Sequence, residues 1–156
     1  MEIILAENHG FCYGVKRAVE MANEAANSEG KSYTLGPIIH NPQVVGRLED
    51  KGVSPVQEVS DIEEGTMIIR SHGVGPAIYE EAEEKGLHIV DATCPHVKKA
   101  QQDAKSVIED GMTLVILGEK NHPEVKSINL WANNKGIIVE DEESAQKLQI
   151  VEKMGV

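Results

Sequence analysis

Six side chains able to do chemistry occur in one kind of setting, each just past an apolar run that reads as a strand. Cys12 follows "EIILA" through the turn "ENHGF", His40 ends "YTLGPIIH", His72 ends "TMIIRSH" and Cys94 ends "HIVDATC". "TLVILG" runs through "EKNH" to His122, with Glu124 two positions later. Pro95 at a first helical position makes Cys94 an N-cap, where free amides and the positive end of the helix dipole favour a thiolate; Cys12 has a similar address before "YGVKRAV". Such a thiolate can be a nucleophile, a redox thiol or a metal ligand. No Cys-x-x-Cys pair supports redox exchange, so metal ligation is the better reading. Zinc commonly takes mixed Cys and His ligands, but its closely spaced ligand pairs are missing. Iron–sulfur clusters accept widely spaced thiolates, usually more than two. His9, His88 and His96 read as capping or hydrogen-bonding residues, and Gly10, Gly73 and Gly75 would let backbone approach a ligand.

These side chains need a scaffold that gathers strand ends, and the hydrophobic pattern supplies one. "EIILA", "YTLGPII", "TMIIRS", "HIVDA", "TLVILG" and "GIIVE" read as strands. Between them lie helical patterns at "YGVKRAVEMANEAAN", with Val15, Ala18, Val19 and Ala22 on one side, and at "NPQVVGRLEDKG", with Asn41 as N-cap and Pro42 at the first position. Further helices fit "PAIYEEAEEKG", "PHVKKAQQDAKSVIEDG", "PEVKSINLWAN" and a closing "ESAQKLQIVEKMG". The alternation predicts an α/β fold of repeated small domains, with mostly parallel sheets flanked by helices and a ligand site at the carboxyl ends of the strands. The expected division is residues 1–95 and an incomplete second unit, 96–156.

Composition bounds the function. With 40% hydrophobic and 26% charged residues, the 156-residue chain can build one ordinary domain or two small ones. Its net charge of -11 argues against a nucleic-acid surface, so an anionic ligand must be handled by local groups. Two distant cysteines, no basic leader and no apolar run of membrane length imply reduced thiols and a cytoplasmic location.

Five stretches, "GFCYGVKRAV", "GPIIHNPQVV", "RSHGV", "VDATCPHV" and "GEKNHPEV", occur in the order of the motifs of the 4-hydroxy-3-methylbut-2-enyl diphosphate reductase family, and the chain resembles its N-terminal portion. The resemblance implies three similar α/β domains around a 4Fe-4S cluster. There an allylic alcohol diphosphate is reductively dehydroxylated to isopentenyl and dimethylallyl diphosphates, with electrons from a ferredoxin or flavodoxin. It also implies that Cys12 and Cys94 are two of three cluster ligands and that His40, His72 and His122 clasp the diphosphate. Glu124, in "HPE", would help protonate the departing hydroxyl. The family's third cysteine, its threonine partner to the glutamate and its Ser-x-Asn segment have no counterpart in this sequence, which implies that the third domain is absent. The alternative is a phosphate-binding or zinc-binding α/β module without catalysis.

Overall fold

The computed structural model describes residues 2–7, 9–28, 30–149 and 152–156. Helix α1 (Tyr13–Ala26) leads into β1 (Ser32–Leu35), α2 (Pro42–Glu49), β2 (Val53–Val56), a 3-10 turn at Val59–Asp61 and β3 (Thr66–Ile69). Then come α3 (Pro76–Glu84), β4 (His88–Asp91) and the long α4 (Pro95–Glu109). The second series comprises β5 (Thr113–Leu117), α5 (Pro123–Trp131), β6 (Ile137–Val139), α6 (Glu142–Gln146) and β7 (Met154–Gly155). All strand pairings are parallel, in a four-stranded sheet of order β2-β1-β3-β4 and a three-stranded sheet of order β6-β5-β7. The α/β reading with parallel sheets covered by helices is therefore correct.

Alternation along β3 explains how both faces of the first sheet are covered. Ile68 packs with Ala18 and Ala22 of α1, Leu48 of α2 and Val53. Met67 and Ile69 point the other way, onto Val59, Ile62, Val74 and Ala82 of the α3 side. A strand buried on both faces is continuously apolar, as "TMII" is. In the second sheet Leu114 and Ile116 pack with Ala104 of α4 and Val125 and Ala132 of α5.

The chain leaves β1 toward β2 on one side and returns to β3 on the other. The crevice between the carboxyl ends of β1 and β3 is thus a topological switch point, where open α/β sheets bind ligands.

Three sequence expectations need correction. "EIILA" is not a strand: residues 2–6 are irregular, with Ile3, Ile4 and Leu5 at 74%, 82% and 76% exposure. An apolar run signals a demand for burial without naming its partner, and among the described residues no strand pairs with it. The closing helix is only the five-residue α6, started by the Asp141–Ser144 capping box, and the chain then adds Met154–Gly155 to the free edge of β5. Ile150 and Val151, inside the expected helix, lie outside the described residues. Finally, residues 53–56 add a strand, β2, that the alternation did not include; it contains Pro55 and forms an edge, where a missing N–H on the outer side is harmless.

Candidate functional site

The three histidines sit on the loops that the sequence predicts, whereas Cys12 caps α1 without a strand before it. Asn41 caps α2, accepting a hydrogen bond from Val44 N at 3.1 Å, and this fixes the turn that carries His40 away from β1. His72 lies on the loop after β3, held by Ser71 N donating to Ile38 O (3.4 Å) and by Cys94 N donating to Ser71 O (2.9 Å). His122 is the N-cap of α5, its Nδ1 accepting from Glu124 N at 3.2 Å.

These three loops bring His40, His72 and His122 together. Ring centroids are 4.6 Å apart for His40–His72, 5.7 Å for His72–His122 and 6.4 Å for His40–His122. One nitrogen of each lies within 4.8 Å of the others. A cavity of about 220 Å³ beside them is lined by Phe11, Val15, Ile39, His40, Asn41, Ser71 and His72. Burial is the main reason that the His72 pKa falls from 6.5 to about 4, with the nearby charges of His40, Arg70 and His122 adding to it. Its Nδ1 is enclosed without a hydrogen-bond partner among the described residues.

The His122 hydrogen bond has a chemical consequence. A nitrogen that accepts from a backbone N–H carries no proton, so in the neutral ring the proton is on Nε2. Nε2 is then a donor suited to an oxyanion. A metal ion at Nε2 would have to displace that proton.

Both cysteines belong to the start of α1, Cys12 as its cap and Cys94 packed on its first turn. Cys12 is the N-cap of α1 and Cys94 the N-cap of α4; neither side chain makes a capping hydrogen bond. Cys94 Sγ lies only 2.5 Å from the position that a Cβ on Gly14 would take, so the thiol rests against the first turn of α1, beside the cap formed by Cys12. Arg17 of α1 donates from Nη1 to Thr93 O at 3.1 Å and braces the same loop. Both cysteines are free thiols, Cys12 exposed and Cys94 half-buried. Two thiols at one helix end, with room kept by a glycine, are residues that could ligate a metal.

Glu124 follows Pro123 in the first turn of α5, half-buried and two residues from His122. His9, by contrast, contacts Ala6 O at 2.8 Å, and neither it, His88 nor His96 joins the imidazole cluster. Gly73 and Gly75 serve packing between the sheets: a Cβ on Gly73 would strike Gln101 Nε2 at 2.5 Å, and one on Gly75 would strike Leu130 at 2.8 Å.

Sequence reasoning missed the supports. Ser127 of α5 donates to His72 O at 2.8 Å and accepts from Gln101 Nε2 at 3.0 Å, while Trp131 Nε1 donates to Val74 O at 2.8 Å. The loop carrying His72 is thereby fastened to the helix whose cap is His122. A polar residue on a helix face with large apolar neighbours, as Ser127 is with Leu130 and Trp131 three and four positions on, was the available signal.

Over its whole length the chain is similar to curated reductases. The 4-hydroxy-3-methylbut-2-enyl diphosphate reductase of Geobacter metallireducens is 52% identical over the whole chain, which covers 55% of that protein. Its namesake in Pelobacter propionicus is 51% identical, with 56% covered. The chain thus spans about half the length of the curated relatives it matches. A solved (E)-4-hydroxy-3-methyl-but-2-enyl diphosphate reductase, described as the terminal enzyme of the non-mevalonate pathway, superposes with a TM-score of 0.79 at 50% identity, over 90% of this chain and 52% of that one. The structure of the Plasmodium falciparum E-1-hydroxy-2-methyl-but-2-enyl-4-diphosphate reductase gives a TM-score of 0.88 at 31% identity, over 93% and 46% of the two chains. The profile described as LytB protein matches residues 3–156, and with that match spanning nearly every residue the chain belongs to the LytB protein family.

Proposed function

We propose that this chain carries the diphosphate-binding histidines and two of the cluster thiolates of a 4-hydroxy-3-methylbut-2-enyl diphosphate reductase. The relatives' names and the resemblance of the five motifs support the reaction class. The observation that carries the site assignment is His122 Nδ1 accepting from Glu124 N, which leaves Nε2–H as the ring's donor. In a chain with a net charge of -11, three clustered imidazoles are a compact way to hold a polyanion.

In this reading the diphosphate accepts hydrogen bonds from His40, His72 and His122, and its negative charge draws a proton onto His72, whose ring burial otherwise keeps neutral. The 220 Å³ cavity lined by Phe11, Ile39, His40 and His72 holds part of the substrate. Glu124, in the first turn of α5 with its backbone N–H donating to His122 Nδ1, supplies a proton to the departing hydroxyl. Cys12 and Cys94 would hold the 4Fe-4S cluster, which when bound supplies electrons and Lewis acidity at the allylic oxygen. Residues 1–95 and 96–156 form the two α/β units to which these groups belong, a ferredoxin or flavodoxin is the electron donor, and the location is cytoplasmic. Among the described residues no helix is long and apolar enough to cross a membrane.

The test is pyrophosphate titration of the chain followed by NMR of the histidine side chains, run beside zinc binding and anaerobic reconstitution with iron and sulfide. Pyrophosphate should shift all three rings, and iron uptake should depend on Cys12 and Cys94. Tight zinc binding abolished by His122→Ala, with no response to pyrophosphate, would replace this proposal with a zinc module.

A further inference from the structure

A larger cavity, of about 350 Å³, opens along the seam between the sheets and shares no lining residue with the cavity beside His40. One wall is cationic and polar, with Arg70, Lys126 and Asn121; the other is apolar, with Val74, Ile78 and Leu130. No carboxylate lines it, although the chain holds 26 acidic residues against 15 lysines and arginines. Arg70 is the unusual member. Its Nε is enclosed with no hydrogen-bond partner, and among the described residues its guanidinium has no carboxylate partner.

A guanidinium offers five donors, and burying it unmatched carries a desolvation cost that an oxyanion would relieve. Burial lowers the Arg70 pKa from its ordinary value, a sign of that uncompensated cation. The pocket is shaped around the group: a Cβ on Gly36 would lie 2.8 Å from Arg70 Nη1. Leu130, 42% exposed, continues the apolar wall to the surface.

We propose that this cavity binds a small amphiphilic anion, with a phosphate or carboxylate head on Arg70 and Lys126 and a short hydrocarbon tail against Val74, Ile78 and Leu130. The site is distinct from the imidazole cluster and does not depend on the function proposed for that cluster. It is next to it, because Ser127 lines the cavity and donates to His72 O.

The experiment titrates the ¹⁵N-labelled chain with n-butyl phosphate, inorganic phosphate and valerate, following the Gly36, Gly73 and Gly75 amides. Saturable shifts are expected, with butyl phosphate tighter than inorganic phosphate because its tail removes apolar surface from water. Valerate binding alone would identify the head as carboxylate, and butyl phosphate alone as phosphate. Arg70→Gln should weaken binding by about tenfold or more, the scale of a charge-assisted hydrogen bond. Lys126→Gln, at an exposed position that leaves the fold intact, should weaken it by roughly two- to threefold and carries the test if Arg70→Gln does not fold. The proposal fails if those amides show no saturable shift, or if the only binding is at the three histidines and survives both substitutions.

Discussion

Replacing Gly14 by alanine isolates the contact that seats Cys94. The new methyl would lie 2.5 Å from Cys94 Sγ and 3.0 Å from its Cβ. Comfortable heavy-atom contacts begin at about 3.5 Å, so the sulfur must retreat by roughly 1 Å or α1 must shift. Overpacking of this kind costs about 1–3 kcal/mol. Alanine's better helix propensity offsets about 0.5–1 kcal/mol of that, leaving a net loss of about 1–2 kcal/mol. Gly14 has an ordinary helical backbone, so no conformational strain enters the comparison. Urea unfolding of wild type, Gly14→Ala, Cys94→Ala and the double variant closes a thermodynamic cycle. Deleting the sulfur should remove most of the penalty and give a coupling of about 1 kcal/mol or more between the sites. In a complete enzyme, Gly14→Ala should also lower the iron retained after reconstitution. Additivity within about 0.5 kcal/mol, with an unchanged midpoint for Gly14→Ala, would refute the claim that this glycine positions the thiol.

Glu124→Gln in a complete enzyme keeps shape and removes the proton, so substrate should still bind while turnover falls by about 10²-fold or more in single-turnover assays. His40→Ala should weaken diphosphate binding and leave iron content near normal, as calorimetry beside iron quantitation would show; iron loss with unchanged affinity would contradict it. Because His72 resists protonation in the folded state, its contribution to stability is complete above pH 6.5 and is lost as pH falls toward 4. With the ring only half-buried, solvent screening reduces the effect to roughly 1–2 kcal/mol, visible as a pH slope in urea midpoints that His72→Gln should flatten.

Much of the scaffold was legible because its signals are local. Asn41 with Pro42, Pro95 after Cys94 and Pro123 before Glu124 mark helix starts through the chemistry of the first turn, and each helix begins there. "TMII" and the central residues of "TLVIL" are strands because continuous burial suits them. The gathering of His40, His72 and His122 followed from parallel topology, which collects strand ends on one edge. What escaped depends on partners distant in sequence. The exposed state of Ile3, Ile4 and Leu5 reflects which sheet edges are present, and β7 forms because β5 has an edge to fill. Neither the rest of Cys94 on Gly14 nor the proton placement on His122 is written in residue type alone.

The bond network between α5 and the segment after β3 also governs how the molecule comes apart. His72 O and Val74 O, alternate carbonyls of one short loop, are both held by side chains of a helix that belongs to the other sheet. Unravelling α5 would release those carbonyls to water and free the His72 loop in the same event. The two halves of the chain should therefore exchange their amide hydrogens as one cooperative unit at this seam, with protection at Val74 and Ser127 rising and falling together.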